Sequence, residues 1–220
     1  LISNDSGGNY VPQYGITFGD IDIKDGYRVF LNGSDSQSLM LEGFPDPMMP
    51  ITIEPYQLNL ISYLPQECMA TDDVFALVED DILLVSNDTG EYYLPSFGVM
   101  TMIEMCPGEA YSVFISSFDA IDFTYPSSDG QARSSMYSYW EEYNQNAVTE
   151  VYSEVVTPTG ISYPVIITQM SGDVSVGDEL VAYAEGQVVG ATRITDLSAP
   201  VVIATWGGYH EFGIDLDGYA

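Results

Sequence analysis

Residues 84–99 read LVSNDTGEYYLPSFGV, and residues 1–16 read LISNDSGGNYVPQYGI: eight of sixteen positions are identical at a constant offset of 83. Val85 for Ile2, Thr89 for Ser6, Phe97 for Tyr14 and Val99 for Ile16 are mild exchanges. After one inserted residue the correspondence resumes. IDIKDGYRVFLNGSD (21–35) lies over MCPGEAYSVFISSFD (105–119), matching Tyr27, Val29, Phe30 and Asp35 to Tyr111, Val113, Phe114 and Asp119. It fades through LMLEG (39–43) and IDFTYP (121–126). We read an internal repeat, 1–43 and 84–126. A repeated unit constrains the fold strongly, because both copies should adopt one supersecondary structure.

That unit reads as strands. RVFL and SVFI are short β-branched and aromatic runs bounded by turn residues. SNDSGG and SNDTGE are turn sequences, in which Asn and Asp bond the local backbone and Gly supplies positive φ. YVP and YYLP follow as the return strands of hairpins, and Pro12 and Pro95 end them. PITIEPYQLNLISYLP (50–65) reads as a strand pair around a turn at Glu54-Pro55. Thr71-Asp72-Asp73 reads as the N-cap of a short helix to about Leu77. The polar stretch 127–148 reads as a linker with one helical turn near Ser135–Tyr143. From residue 149, strand-and-turn patterning resumes, with Ala184-Glu185-Gly186-Gln187 as a hairpin turn.

The expectation is an all-β chain of tandem antiparallel, β-sandwich-like modules. Its domains would be 1–128, holding both copies of the repeat with the first cut short, and 147–220, a small β-sandwich, joined by a linker at 129–146. The second copy is preceded by DDILLV and by the LNLISYL strand, whereas the first has only Leu1-Ile2 there. A segment supplied by a second copy of the chain would fill that place. The expected partner is therefore a homo-polymer, formed by strand contribution or sheet-edge contacts.

Charge narrows the partners. Thirty-three acidic residues face four basic ones and one His, a net charge of −29. Such a field repels nucleic acid and anionic lipid. No apolar run is long enough for a transmembrane helix, so neither nucleic-acid binding nor membrane insertion is expected. No basic leader precedes Leu1, and the chain reads as processed or as part of something longer. Cys68 and Cys106 fit either one disulfide, as outside the cell, or two buried thiols.

Three stretches resemble a β repeat known from large secreted, surface-attached bacterial proteins, with a Gly-Trp-Asn-Leu-Ile-Ser-Tyr hallmark. They are Asn59-Leu60-Ile61-Ser62-Tyr63, Tyr93-Leu94-Pro95-Ser96-Phe97-Gly98 and Pro107-Gly108-Glu109-Ala110-Tyr111; Gln57-Leu58 stands where the hallmark has Gly-Trp. A second resemblance, to a β module with a Gly-Asp-Glu motif in similar proteins, rests on Gly177-Asp178-Glu179-Leu180, Val189-Gly190-Ala191, Trp206-Gly207 and Asp217-Gly218-Tyr219. Together they imply a non-catalytic extracellular or cell-surface β protein.

The residues themselves agree with a chain that is not an enzyme. His210 stands alone, which leaves no His-rich metal site. No Gly-x-Ser-x-Gly sequence marks a nucleophile. Asp215 and Asp217, before Gly218, are the candidate calcium ligands, with local turn chemistry as the competing reading. Asn87–Glu91 and Asn4–Gly7 are of similar type, and Asn32 and Asn87 begin glycosylation sequons in form. No cofactor other than calcium is expected. Two functions are weighed: a self-associating subunit of a surface or filamentous assembly, and a carbohydrate-binding or adhesive module of a larger secreted protein. The second needs exposed rings for a polysaccharide. Tyr92, Tyr93, Tyr137, Tyr139, Trp140, Trp206 and Tyr209 are the candidates.

Overall fold

The computed structural model describes residues 1–15, 19–31, 38, 43, 46–127, 135–152, 156–211 and 214–219. In chain order the elements are β1 (Ile2–Ser3), β2 (Asn9–Tyr10), β3 (Arg28–Val29), β4 (Ile51–Ile53), β5 (Asn59–Ser62), β6 (Met69–Ala70), α1 (Thr71–Phe75), β7 (Ile82–Ser86) and β8 (Tyr92–Leu94). They continue with β9 (Val99–Met100), β10 (Glu104–Met105), β11 (Ala110–Ile115), β12 (Ile121–Phe123), α2 (Ser135–Asn146), β13 (Ser162–Ile167), β14 (Glu179–Ala184), β15 (Gln187–Arg193) and β16 (Val201–Trp206). The chain is all-β: antiparallel sheets dominate, and the described residues hold only these two α-helices. Neither helix is long and apolar enough to cross a membrane.

Two compact units emerge. One comprises Leu1–Val85, Glu104–Gln131 and Glu211–Ile214, and the other Ser86–Ile103, Ala132–His210 and Asp215–Ala220. In the first, strands lie in the orders β2-β1-β3, β5-β11-β7, β12-β4 and β10-β6. The core is aromatic. Phe75 stacks on Phe123, which meets Tyr125 edge-on, and Tyr63 packs edge-on against both Tyr125 and Tyr111. Such edge-to-face contacts add to the burial of the rings. Burial pushes the Tyr63 and Tyr125 hydroxyls far above the ordinary range.

The 50–65 segment departs from the expected hairpin. β4 pairs with β12 (Ile53 opposite Ile121) and β5 with β11 (Asn59 opposite Val113), so the two strands flank a turn without pairing to each other. Asn59 is the cause. Its buried side chain accepts a hydrogen bond from the Glu54 N–H at 2.9 Å and donates to the carbonyls of Glu54, Gln57 and Val113. One amide thus satisfies backbone groups on both sides of the turn. α1 also differs from expectation. Ala70 occupies its N-cap without a side-chain bond, Thr71 is buried, and Asp72 and Asp73 stand in the first turn, where the helix dipole favours carboxylates.

The twin sequences fold alike locally. Asn4 N–H donates to Gly8 O at 3.1 Å, and Gly8 N–H donates to Asn4 Oδ1 at 2.7 Å. At an offset of 83, Asn87 N–H donates to Glu91 O at 3.3 Å, and Glu91 N–H donates to Asn87 Oδ1 at 3.0 Å. Gly7 and Gly90 both have φ of +81°. Next come 3₁₀ turns at Pro12–Tyr14 and Pro95–Phe97, closed by left-handed Gly15 and Gly98. β3 pairs with β1, and its counterpart β11 lies beside β7.

The second unit joins the β8–β9 pair, α2, and the two-stranded sheets β13–β16 and β14–β15. The β14–β15 hairpin turns at Glu185 and Gly186, with φ of +51° and +85°, as expected from the sequence. The stretch read as a linker with one helical turn carries the 12-residue helix α2. Tyr137, Trp140 and Tyr143, three residues apart, form its buried stripe, and Asn144 Nδ2 donates to Thr101 O at 2.6 Å.

Candidate functional site

The motif residues gather into structural joints. In the first unit, Asn59–Tyr63 lies along Pro107–Tyr111. Ala110 faces Ser62, Tyr111 faces Ile61, and Tyr63 N–H donates to Glu109 O at 3.1 Å. The Tyr111 hydroxyl donates to the Glu109 carboxylate and accepts from the Cys106 N–H at 2.8 Å. The cysteines lie just beyond the β6–β10 pair. Met69 faces Met105, so the next register position sets Cys68 opposite Cys106, and the two are joined in a disulfide. Of the two expectations for these cysteines, the bridge holds.

In the second unit, Trp206-Gly207 meets Asp217-Gly218-Tyr219. Gly208 N–H donates to Tyr219 O at 2.9 Å and Tyr219 N–H to Trp206 O at 3.2 Å. The approach admits only glycine: a Cβ on Gly218 would stand 2.3 Å from the Gly207 carbonyl carbon. Gly190, of Val189-Gly190-Ala191, lies as tightly against the Ala204 carbonyl of β16. Glu179 ties down another segment, accepting the N–H groups of Glu150 at 2.5 Å and Val151 at 3.1 Å. Arg193 Nη1 donates to Glu150 Oε1 at 2.8 Å and its Nε to Gly177 O at 3.2 Å. Burial alone would raise the Glu179 pKa. The N–H groups of Glu150, Val151 and Tyr152, with the Arg193 charge, hold it below the usual range instead.

Asp215 and Asp217 are both exposed. Asp215 Oδ1 lies 2.5 Å from His210 Nδ1, so the imidazole engages the carboxylate that a cation would need. Among the described residues, no three His, Cys, Asp or Glu side chains cluster as metal ligands do. The Asn87 turn is closed by its own bonds: Asn87 Oδ1 also accepts from the Thr89 N–H and hydroxyl, and Asn87 Nδ2 donates to Glu91 Oε2 at 2.6 Å. Asp5 Oδ2 accepts the Leu60 N–H at 2.7 Å. The sequon at Asn32 lies outside the described residues.

Most rings expected to hold a sugar are in the core. Tyr92, Tyr93, Tyr137, Trp140 and Trp206 are buried, Tyr209 is partly covered, and Tyr139 alone of the set is exposed. Among the described residues the most exposed aromatic side chains are Phe118 and Tyr56, whose rings lie side by side. Neither residue of this pair belongs to a motif, so nothing in the sequence singles them out.

No family model matches this chain, and no curated protein or solved structure matches it.

Proposed function

We propose that the protein is a non-catalytic structural component of an extracellular surface or filament, whose copies associate through the face carrying β1–β3. The supporting observation is a contrast between the twin segments. Val29 is 48% exposed where its counterpart Val113 is 0%, Leu31 is 53% against 2% for Ile115, and Tyr10 is 41% against 4% for Tyr93. Local geometry is shared, but burial is not. On this reading the two segments are copies of one repeat, and the first presents an apolar face that the second keeps in a core. A second copy of the chain is the proposed cover.

The disulfide supports an oxidising compartment. An edge contact through β13 is disfavoured. Gly207 N–H donates to Ile161 O, which by alternation turns the Pro164 nitrogen away from β16. That edge therefore carries a proline, a common block to strand addition. Association must overcome the repulsion of −29 charges per copy, which salt screens as the Debye length falls from ~10 Å at 0.1 M to ~3 Å at 1 M.

Sedimentation velocity and negative-stain microscopy across a NaCl series, with and without Ca²⁺, test the proposal. Larger species should grow with salt, and Val29→Asp with Leu31→Asp should abolish them while leaving the fold intact. A monomer under every condition, or assembly indifferent to those substitutions, overturns it.

A further inference from the structure

We propose that Tyr56 and Phe118 form a docking corner for Arg or Lys side chains of a basic peptide segment in a partner protein. The rings are 70% and 81% exposed, with centroids 6.3 Å apart and planes inclined at 55°. Two adjoining rings thus expose most of their surface to solvent at one corner. The corner is held in place by the fold. Tyr56 sits at φ +62°, one of two non-glycine residues at positive φ among those described. The buried Asn59 amide ties down the turn on both sides of it, through Glu54 and Gln57. Opposite, pairing of Ile53 with Ile121 brings the Phe118 loop alongside. A turn shaped only by folding would place Gly or Asn at such a φ, and a polar side chain at its tip.

The surrounding charge selects the occupant. Segments 52–58, 77–81 and 114–122 contain Glu54, Glu79, Asp80, Asp81, Asp119 and Asp122, and no Lys, Arg or His. The 79–81 turn is fixed beside the Phe118 loop, since Ser116 N–H donates to Asp81 O at 2.8 Å. A cation over either ring is attracted by its quadrupole within ~6 Å of the centroid. The carboxylates of these three segments add a negative field that favours a guanidinium or ammonium at the corner. A neutral sugar would use the rings but gain nothing from the charge. Nucleic acid and anionic membrane would be repelled.

The inference is independent of the assembly proposal, because these residues lie outside β1–β3. The test is titration of the whole protein with a labelled oligo-arginine peptide at physiological salt, read by fluorescence anisotropy. Phe118→Ala and Tyr56→Gly should each weaken binding about two- to fivefold, with Tyr163→Ala as an exposed-ring control that changes nothing. Glycine suits the positive φ, so Tyr56→Gly removes the ring without straining the turn. Unchanged near-UV circular dichroism verifies the fold. Peptide affinity equal in wild type and both ring variants would reduce binding to diffuse charge and overturn the proposal. So would a neutral hexasaccharide, such as cellohexaose, that perturbs these rings while the peptide fails to displace it.

Discussion

The indole edge of Trp206 lies against Gly90 so closely that a Cβ on Gly90 would stand 2.7 Å from Cζ2, whereas the twin Gly7, at the same φ of +81°, faces open space. This separates two costs that usually come together. Gly7→Ala meets only the strain of a left-handed alanine, about 1–2 kcal/mol. Gly90→Ala meets that strain and also overpacks the ring, adding about 1–3 kcal/mol. Denaturant unfolding of both variants should show Gly90→Ala as the more destabilised. Equal losses would mean that the Trp206 contact is not close.

Asn59 should be among the least replaceable polar residues. Asn59→Ala leaves the Glu54 N–H and several carbonyls without their side-chain partner inside the first unit. Of these, the Val113 carbonyl is buried, and a buried group left without a partner costs about 1–3 kcal/mol; the bonds lost at the exposed Glu54–Gln57 turn add about 1 kcal/mol or less each. A loss of at least about 2 kcal/mol is expected in urea titration. Exposed Gln57→Ala, two residues away, should be nearly neutral.

These two residues also mark how far the sequence could be read. Asn59 and Gly90 stood out in motifs, and the structure gives both a tight local role. Strand type, the Glu185-Gly186 hairpin turn and the shared turn geometry of the twin segments were legible because turn chemistry is local. Pairing was not. Nothing near Ile51–Ile53 says that its partner is Ile121–Phe123, because that choice is made by side chains distant in sequence. α2 was read as a single turn because its stripe is only Tyr137, Trp140 and Tyr143 in a polar string. The Tyr56–Phe118 corner was invisible, since its parts lie far apart in the chain and exposure has no sequence signature.

The Cys68–Cys106 bridge closes a separation of 38 residues beside the β6–β10 pair. Constraining the unfolded chain over a loop of that size stabilises by about 2–4 kcal/mol. Replacing both cysteines with serine should lower the denaturant midpoint of the first unit by a corresponding amount. Wild type treated with reductant should match the double variant. If the variant unfolds at the wild-type midpoint, the bridge adds nothing to stability.

Glu179 gives a pH signature with a definite sign. Its pKa is held below the ordinary carboxylate value: burial pushes upward, but the N–H groups of residues 150–152 and the Arg193 charge outweigh it. A carboxylate depressed by folding adds stability that is fully present above its unfolded pKa, about 4.3, and is lost as pH falls through the lower folded value. Asp25 and Asp73 act oppositely. Burial, with neighbouring carboxylates, raises both, so acidification relieves a cost at each. Total stability against pH therefore mixes the two signs, and only a difference isolates Glu179. Glu179→Gln keeps the shape and removes the charge. The variant should be less stable than wild type at neutral pH, and the gap should narrow below about pH 4. A gap that stays constant down to the acid transition would show that the N–H groups of residues 150–152 do not distinguish carboxylate from amide, and that Glu179 anchors this segment by shape alone.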